Sequence, residues 1–253
     1  MTNVVPPALP SVTIGPLRIA RLTATEALSR VDAAHGHTSP LCVAFCNAHT
    51  AKLAFDDPAY AKVLGGMLVL NDGLGIDLAA RALGHGAFPA NLNGTDFVPA
   101  LLRESARPLR IFLLGAKRDV LVRAAEAIHT RFPQHAITGM QDGYFADAEL
   151  AGIGATIAEG HPDIVLCAMG NPRQERVIAA LAEQNVAPVL IGVGALFDFL
   201  ADAVPRAPAW VRRARMEFVY RLLHEPKRLG RRYTVEVVEF LIAVARLRFT
   251  RPA

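Results

Sequence analysis

Short, continuous apolar runs alternate with helical patterns along most of this chain, and this alternation restricts the fold more than any other feature. Because polar residues do not interrupt the runs, they are typical of strands buried on both faces of a sheet. The runs are "LCVAFC" (41–46), "MLVL" (67–70), "LRIFLLG" (109–115), "DIVLCAMG" (163–170) and "PVLIGVG" (188–194). Helical patterns are predicted near 50–64 and 74–84 and over 117–131 and 172–185. The sequence therefore predicts an α/β fold: a mostly parallel, Rossmann-like sheet with helices on both faces.

The pattern breaks at "ADAVPRAPAW" (201–210), which divides the 253 residues into two predicted parts. Residues 1–204 form the α/β core, and residues 205–253 form a basic helical C-terminal appendage. The appendage carries 12 Lys and Arg against 4 Glu, whereas the core carries 15 basic against 19 acidic residues. A broken amphipathic helix is predicted over 210–233, and a final helix over 234–249.

Neither end of the sequence indicates export or membrane insertion. No apolar run reaches the roughly 18 residues that a transmembrane helix needs. The N-terminus lacks the basic start and apolar stretch of a signal peptide. Cys42, Cys46 and Cys167 are an odd number without zinc-type spacing, which suits a reducing compartment. We therefore expect a cytoplasmic protein.

The stretch "MLVLNDGLGIDL" (67–78) places Asp72 directly after an apolar strand and before a glycine turn. The carboxyl ends of parallel strands are where ligands bind in open α/β sheets. Asp72 is either part of a simple strand-to-helix turn, near a helix N-cap, or a general base presented to a ligand. Asn71 precedes it at the same strand end.

The stretch "NLNGTDF" (91–97) contains a helix-capping signal before an apolar run. Capping alone would explain Thr95 or Asp96. The amides of Asn91 and Asn93 then remain as candidate ligands for sugar hydroxyls.

The stretch "AMGNPRQER" (168–176) ends a strand at Gly170 and begins a helix near Pro172. The free amides of a helix start suit an anion such as a diphosphate. Arginines in a first helical turn oppose the helix dipole. They indicate either a nearby ligand charge or a solvated surface.

The stretch "GVGALFDFL" (192–200) combines Gly192 and Gly194 with Phe197 and Asp198. The glycines permit close approach of a ligand to the backbone. The same residues also fit a tightly packed strand–helix junction.

Several function classes are excluded by missing motifs. The chain has no P-loop lysine motif, no H-E-x-x-H, no G-x-S-x-G and no Asp-x-Asp, and its eight histidines are scattered. An NAD-dependent oxidoreductase is suggested by the sheet pattern, but the third glycine of its fingerprint is absent at Leu78. A nucleic-acid-binding module remains an alternative because of the C-terminal arginines, although the core is acidic and that region has few aromatic residues.

Taken together, the motifs resemble those of the WecG/TagA/CpsF glycosyltransferase family from about Leu41 to Tyr233. Single motifs would be weak, but their order and spacing are specific. They are "NAHT" (47–50), "NDGLGIDLAAR" (71–81), "NGTDF" (93–97), "FLLGA" (112–116), "GYF" (143–145), "GNPRQE" (170–175), "GVGALFDF" (192–199), "RAPAW" (206–210) and "EPKRLGRRY" (225–233).

The resemblance implies an inverting, metal-independent glycosyltransferase (family 26) that needs no cofactor. Such an enzyme moves a sugar from a UDP donor to a polyprenyl-diphosphate-linked sugar. By resemblance, Asp72 is the general base, and the nucleotide side includes Gly115, Gly170, Gly192, Gly194, Phe197 and Asp198. The sugar-binding residues implied in the same way are Asn47, Asn71, Asn91, Asn93, Thr95, Asp96, Gln174 and Glu175.

Two departures from the family pattern bear on the donor. Phe45 stands where many relatives have threonine, and Asn91-Leu92-Asn93 stands where many have Arg-x-Thr. Arginine suits a carboxylate or phosphate, whereas asparagine suits neutral hydroxyls. This favours a neutral hexose, UDP-glucose, joined by a β-1,4 bond in exopolysaccharide synthesis, as in the GumM-like branch. The alternative donor is UDP-N-acetylmannosamine or its uronic acid, used in teichoic acid or common-antigen assembly.

The basic appendage fits a lipid-linked acceptor. An amphipathic basic segment would hold the enzyme on the inner face of the plasma membrane, at about 1 kcal/mol per Lys or Arg near the surface. Arginines also suit the acceptor diphosphate, and exposed apolar residues on the segment allow a homo-oligomer. The candidates are Arg206, Arg212, Arg213, Arg215, Arg221, Arg228, Arg231 and Arg232. A solvated helical face is the alternative explanation.

Overall fold

The computed structural model describes residues 9–204, 207–208, 211, 217–224, 230 and 234–250. Its strands are β1 (Ser11–Ile14), β2 (Leu17–Ala20), β3 (Leu41–Cys46), β4 (Leu68–Asn71), β5 (Arg110–Gly115), β6 (Ala136–Gln141), β7 (Ile164–Ala168) and β8 (Val189–Gly192). Its α-helices are α1 (Ala24–Ala33), α2 (Ala48–Asp56), α3 (Pro58–Gly65), α4 (Leu74–Ala82), α5 (Gly94–Glu104), α6 (Arg118–Arg131), α7 (Leu150–Glu159), α8 (Arg173–Glu183), α9 (Leu196–Leu200), α10 (Glu217–His224) and α11 (Val235–Thr250).

The strands of the described residues form one sheet in the order β1-β2-β4-β3-β8-β7-β5-β6. Only β1 runs antiparallel to its neighbour; the other pairings are parallel. The centre of the sheet is the pair β3 and β8, which are neighbours in the sheet although they are far apart along the chain. In open α/β sheets, ligands bind outside the carboxyl ends of the strands.

Successive residues of the central strands pack into different cores, which explains their continuous apolar runs. In β3, Val43 and Phe45 belong to one cluster, which is completed by residues of α1, α5, α6 and α9. Ala44 and Cys46 point to the opposite face, under α2, α3, α4 and α11. A third cluster covers that opposite face under α8. The predicted mostly parallel α/β sheet with helices on both faces is confirmed.

The strands near both edges of the sheet were not predicted from the sequence. Strands β1 and β2 are four residues each and alternate between buried and exposed positions, and β6 is only partly buried along its length. None of them is a continuous apolar run, because an edge strand is covered less completely than a central one. The sequence patterns therefore located the centre of the sheet and missed its margins.

The single helix predicted near 50–64 is two helices that meet at Asp57. The Asp57 backbone ends α2. The Asp57 side chain caps α3 by accepting from the N–H groups of Ala59 (2.9 Å) and Tyr60 (3.1 Å). Pro58 occupies the first position of α3, where its missing N–H costs nothing. The Asp57 carboxylate also pairs with Arg176 of α8 at 2.6 Å.

Replacing Asp57 with alanine is expected to lower the free energy of unfolding by about 1–2 kcal/mol, because α3 loses its cap. The partly exposed pair with Arg176 adds little to this value. Asp56→Ala is the matched control, since Asp56 pairs only at the surface, with Lys52 four residues earlier, and should cost about 0.5 kcal/mol or less. Chemical denaturation of both variants makes the comparison, and equal losses would contradict the capping role.

The last helix, α11, packs onto the α/β layer. Phe240 and Val244 are buried there, and the Phe240 ring meets the Phe55 ring edge-on at 6.0 Å. The predicted final helix over 234–249 agrees with α11, while most of the predicted broken helix over 210–233 lies outside the described residues. The division into parts at residues 204 and 205 stays a prediction.

Candidate active site

A cleft of about 940 Å³ opens at the carboxyl ends of β3, β4, β5, β7 and β8. This volume falls in the range of small-molecule sites. Most of the predicted catalytic, sugar-binding and nucleotide-side residues meet in it. Those that line it are Asn47, Asp72, Asn91, Asn93, Thr95, Asp96, Gly170, Gln174, Gly192, Gly194 and Asp198. Four others, Asn71, Gly115, Glu175 and Phe197, lie behind the lining.

Asp72 occupies the turn between β4 and α4, beside the end of the neighbouring strand. Its backbone N–H donates to the Cys46 carbonyl oxygen (2.8 Å), which continues the pairing of β3 with β4. Asn47 caps α2 by accepting from the Thr50 N–H (3.1 Å), and its Nδ2 donates to Asp72 Oδ2 (3.4 Å). The N-cap of α4 is Gly73 rather than Asp72. The Asp72 carboxylate lies at the cleft, where Asp72 is part of the lining.

The turn that presents Asp72 depends on a glycine and on the segment before α5. Gly73 has a φ of 86°, a conformation that side-chain-bearing residues avoid. Its N–H donates to Asn91 Oδ1 at 2.6 Å. Asn71 is fully buried; its Nδ2 donates to the Ala90 carbonyl oxygen (2.8 Å), and its own carbonyl oxygen accepts from the Leu92 N–H (2.9 Å). Asn71 and Asn91 thus hold the 90–92 segment against the end of β4.

The cap of α5 is Asn93, and not Thr95 or Asp96 as the capping signal suggested. Asn93 Oδ1 accepts from the Asp96 N–H (2.9 Å) and from Thr95 Oγ1 (2.6 Å). Its Nδ2 donates to Asp96 Oδ2 (2.9 Å). The motif predicted a helix start correctly but assigned the cap to the wrong residues, because asparagine is as good an N-cap as serine or aspartate.

Gln174 crosses the cleft wall between α8 and the end of β8. Its Oε1 accepts from the Gly194 N–H at 2.9 Å, and its Nε2 donates to Glu175 Oε1 at 2.9 Å. Gly192 allows this, since a side chain there would overlap the Gln174 amide. Glu175 is fully buried behind the cleft lining, where its carboxylate accepts from Tyr60 and Asn171.

The residues predicted to contact the nucleotide do not all line the cleft. Gly115 has a φ of 124° and lies against the backbone of Ala168, where β5 meets β7. Phe197 is fully buried in the core beneath α9, whereas its neighbours Asp198 and Phe199 line the cleft. Because Phe197 is fully buried and does not line the cleft, only Asp198 of this predicted pair is placed to contact a bound ligand.

The two arginines at the start of α8 both contact other residues of the protein. Arg173 donates to the Phe145 carbonyl oxygen, and its guanidinium lies over the Phe145 ring at 4.9 Å. Arg176 pairs with Asp57. Arg173 lines the cleft and Arg176 does not. Protein contacts therefore explain Arg176 without a ligand charge.

Several cleft residues were missed by the sequence analysis. Lys117 follows the end of β5, so the rule that located Asp72 could have found it. Arg123, in the second turn of α6, pairs with Asp119 at 3.5 Å. His49, Val237 and Leu241 join the cleft through the packing of α11 on α2, where His49 Nδ1 lies 2.5 Å from Glu236 Oε2. Such tertiary packing has no local sequence signal.

The eight predicted arginines of the appendage fall almost entirely outside the described residues. Arg221 belongs to α10, and the other seven lie in the undescribed positions. Among the described residues, no group of three or more His, Cys, Asp or Glu could hold a metal ion. No helix in the same residues is long and apolar enough to cross a bilayer.

An open, mostly parallel sheet with a deep cleft at the carboxyl ends of its strands is the architecture of α/β enzymes that act on small molecules. The sequence specifies the class further. Residues 12–253 match the model of the Glycosyl transferase WecG/TagA/CpsF family, and the chain belongs to this family of glycosyltransferases.

Two relatives with assigned activities are similar to most of the chain. Both are called N-acetylglucosaminyldiphosphoundecaprenol N-acetyl-beta-D-mannosaminyltransferase. The protein of Bacillus subtilis (strain 168) is 34% identical over 191 residues, which cover 75% of this chain and 73% of the relative. That of Bacillus spizizenii (strain ATCC 23059 / NRRL B-14472 / W23) is 31% identical over 184 residues, covering 72% and 70%.

Proposed function

We propose that this glycosyltransferase moves N-acetylmannosamine from UDP-N-acetylmannosamine to N-acetylglucosaminyl-diphosphoundecaprenol. The names of both relatives support the transferred sugar and the acceptor. The UDP carrier is what the family resemblance implies. The single structural observation that carries the proposal is the position of Asp72, a carboxylate at a strand end in a cleft of about 940 Å³. Both relatives are named for transfer of N-acetylmannosamine and not of glucose, so the alternative donor of the sequence analysis replaces glucose.

The structure also weakens the reasoning that favoured glucose. Asn91 and Asn93 were assigned to neutral sugar hydroxyls. Their side-chain oxygens instead accept from N–H groups of Gly73 and Asp96, as parts of a turn and a helix cap. An asparagine whose side-chain oxygen accepts from a backbone N–H group carries little information about the donor sugar.

The proposed mechanism is a single displacement. The Asp72 carboxylate takes the proton of an acceptor hydroxyl as its oxygen attacks the anomeric carbon of the donor. The bond from that carbon to the diphosphate oxygen breaks, and UDP leaves with the bonding electrons. Nucleotide sugars of this kind are α-linked, and the relatives' name specifies a β product, so attack from the opposite face inverts the anomeric carbon. Asn47, which donates to the carboxylate, orients it.

The acceptor is a membrane lipid, so we further propose that the basic appendage brings the cleft to the membrane surface. Residues 205–253 carry 12 basic against 4 acidic residues. Each basic side chain near an anionic surface contributes about 1 kcal/mol. The predicted arginines would also contact the acceptor diphosphate. This proposal rests on the sequence of the appendage.

Donor choice is tested with the purified protein and a synthetic N-acetylglucosaminyl-diphosphate lipid. UDP-N-acetylmannosamine, its uronic acid and UDP-glucose are offered separately, with and without EDTA, and the lipid product is weighed by mass spectrometry. We expect addition of one N-acetylhexosamine from the first donor alone, undiminished by EDTA. A lipid acceptor without its sugar is the control. Addition of a hexose alone would contradict the proposed donor, and loss of transfer in EDTA would contradict metal independence.

A further inference from the structure

A buried carboxylate behind the cleft wall has three donors and no role in the mechanism above. Glu175 is fully buried on α8. Its Oε1 accepts from Asn171 Nδ2 (2.7 Å) and Gln174 Nε2 (2.9 Å), and its Oε2 accepts from the Tyr60 hydroxyl (3.0 Å). We call Tyr60, Asn171, Gln174 and Glu175 the Glu175 network. Two of its members, Asn171 and Gln174, line the cleft.

The network is built around a negative charge. Glu175 makes no ion pair with a Lys, Arg or His among the described residues. A buried carboxylate needs hydrogen-bond donors in place of water, and the three donors supply them. Burial, and next the charge of Glu175, raise the pKa of Tyr60, so its hydroxyl stays protonated and remains a donor.

This charge determines the orientation of the Asn171 and Gln174 side-chain amides. An ionised carboxylate only accepts, so Asn171 and Gln174 must direct their amide nitrogens towards it. The Oε1 atom of Gln174 is held by the Gly194 N–H at 2.9 Å. The side-chain nitrogen of Asn171 also lies 3.4 Å from the Tyr60 hydroxyl. The side-chain carbonyl oxygen of Asn171 therefore remains for contact with a ligand. Such an oxygen binds a hydroxyl and repels a phosphate oxygen.

We propose that Glu175 is a positioning residue that holds the Asn171 amide so that its carbonyl oxygen accepts from a hydroxyl of the bound nucleotide sugar. The hydroxyl belongs either to the ribose or to the transferred sugar. Tyr60 supports the same orientation through the second carboxylate oxygen. The proposal rests on the proposed function for the nature of the ligand. The orientation itself rests on the contacts of Glu175.

Glu175→Gln tests the proposal with little change of shape. A glutamine removes the negative charge, so the Asn171 and Gln174 amides lose a charge-assisted partner, and a glutamine NH₂ group directed at either amide forces that amide to turn. Binding of UDP, 2′-deoxy-UDP, 3′-deoxy-UDP, UDP-N-acetylmannosamine and its deoxy-sugar analogues is measured by calorimetry. We expect the parent to bind one hydroxyl-bearing ligand about tenfold more tightly than its deoxy form, the size of one good hydrogen bond, and Glu175→Gln to remove this difference. The ligand pair affected identifies the hydroxyl.

Ile178→Val is the matched control, because Ile178 is fully buried on the same helix but belongs to the apolar core. It should lower the melting temperature while retaining the preference for the hydroxyl. Tyr60→Phe should reduce the preference less than Glu175→Gln, since two donors remain. Equal preferences in the parent and in folded Glu175→Gln would overturn the proposal, as would an equal loss in Ile178→Val.

A measurement without ligand separates this proposal from the proposed function. With ¹⁵N-labelled asparagine, the Asn171 side-chain NH₂ should exchange slowly with solvent in the parent and at least about tenfold faster in Glu175→Gln, because one good hydrogen bond is lost. Equal exchange would overturn the positioning role. Failure of the parent to bind UDP or to transfer N-acetylmannosamine would contradict the proposed function, and the exchange result would then decide the positioning role alone.

Discussion

Asp72→Asn is expected to lower the rate of sugar transfer by a factor of about 10²–10⁴, the usual contribution of a general base. Asparagine keeps the shape of the side chain and its contact with Asn47 but cannot accept the proton of the attacking hydroxyl. UDP binding should change by no more than about twofold, because the loss falls on the transition state. The measurement is single-turnover transfer to the lipid acceptor, with UDP affinity determined in parallel.

The control for this variant is Asp56→Asn, a solvent-exposed carboxylate on α2 that lies outside the cleft lining. It should transfer at the parent rate. If Asp72→Asn retained the parent rate, another group would have to take the proton. An equal loss in both variants would show an effect of net charge and would remove Asp72 from the mechanism.

Gly115→Ala is expected to lower the free energy of unfolding by about 3 kcal/mol or more. A Cβ atom at this position would lie 2.8 Å from the Ala168 backbone nitrogen and still closer to its carbonyl group. The φ of 124° adds backbone strain for any residue with a side chain. Both obstacles are main-chain atoms of the sheet, so a rotamer change cannot relieve them. Urea denaturation measures the loss.

Gly152→Ala provides the matched control on α7. A Cβ atom there meets no atom within 4 Å, and the residue lies inside a helix. The same substitution should stabilise the protein by about 0.5–1 kcal/mol, since alanine is the better helix former. Similar stability of the two variants would show that β5 and β7 can separate locally without cost and would contradict the packing described for Gly115.

The sequence predicted the centre of the fold well because burial leaves a strong pattern there. Strands covered on both faces must be apolar throughout, as in β3, β7 and β8. The division between α2 and α3 was not predicted, since Asp57 interrupts the helical pattern by only one residue. The edge strand β6 is partly solvated and carries no such pattern. Local burial, rather than local propensity, decided what could be predicted.

The candidate site was predictable where a residue follows a strand end. Asp72 and Asn47 line the cleft for this reason, as does the overlooked Lys117, whereas Gln174 reaches it from the first turn of α8. The roles of polar residues were harder to predict, because a sequence does not show which partner an amide or carboxylate uses. Glu175 faces the protein interior, and Asn93 caps a helix. The contribution of α11 to the cleft depends on long-range packing alone.

One measurement tests the central claim most directly: the product formed by the purified protein from UDP-N-acetylmannosamine and the N-acetylglucosaminyl-diphosphate lipid, with its new bond assigned by NMR. We predict a β-linked N-acetylmannosaminyl residue on the N-acetylglucosamine, formed with release of UDP. An α-linked product would contradict the single displacement with Asp72 as base. Transfer of glucose but not of N-acetylmannosamine to this acceptor would contradict the proposed function.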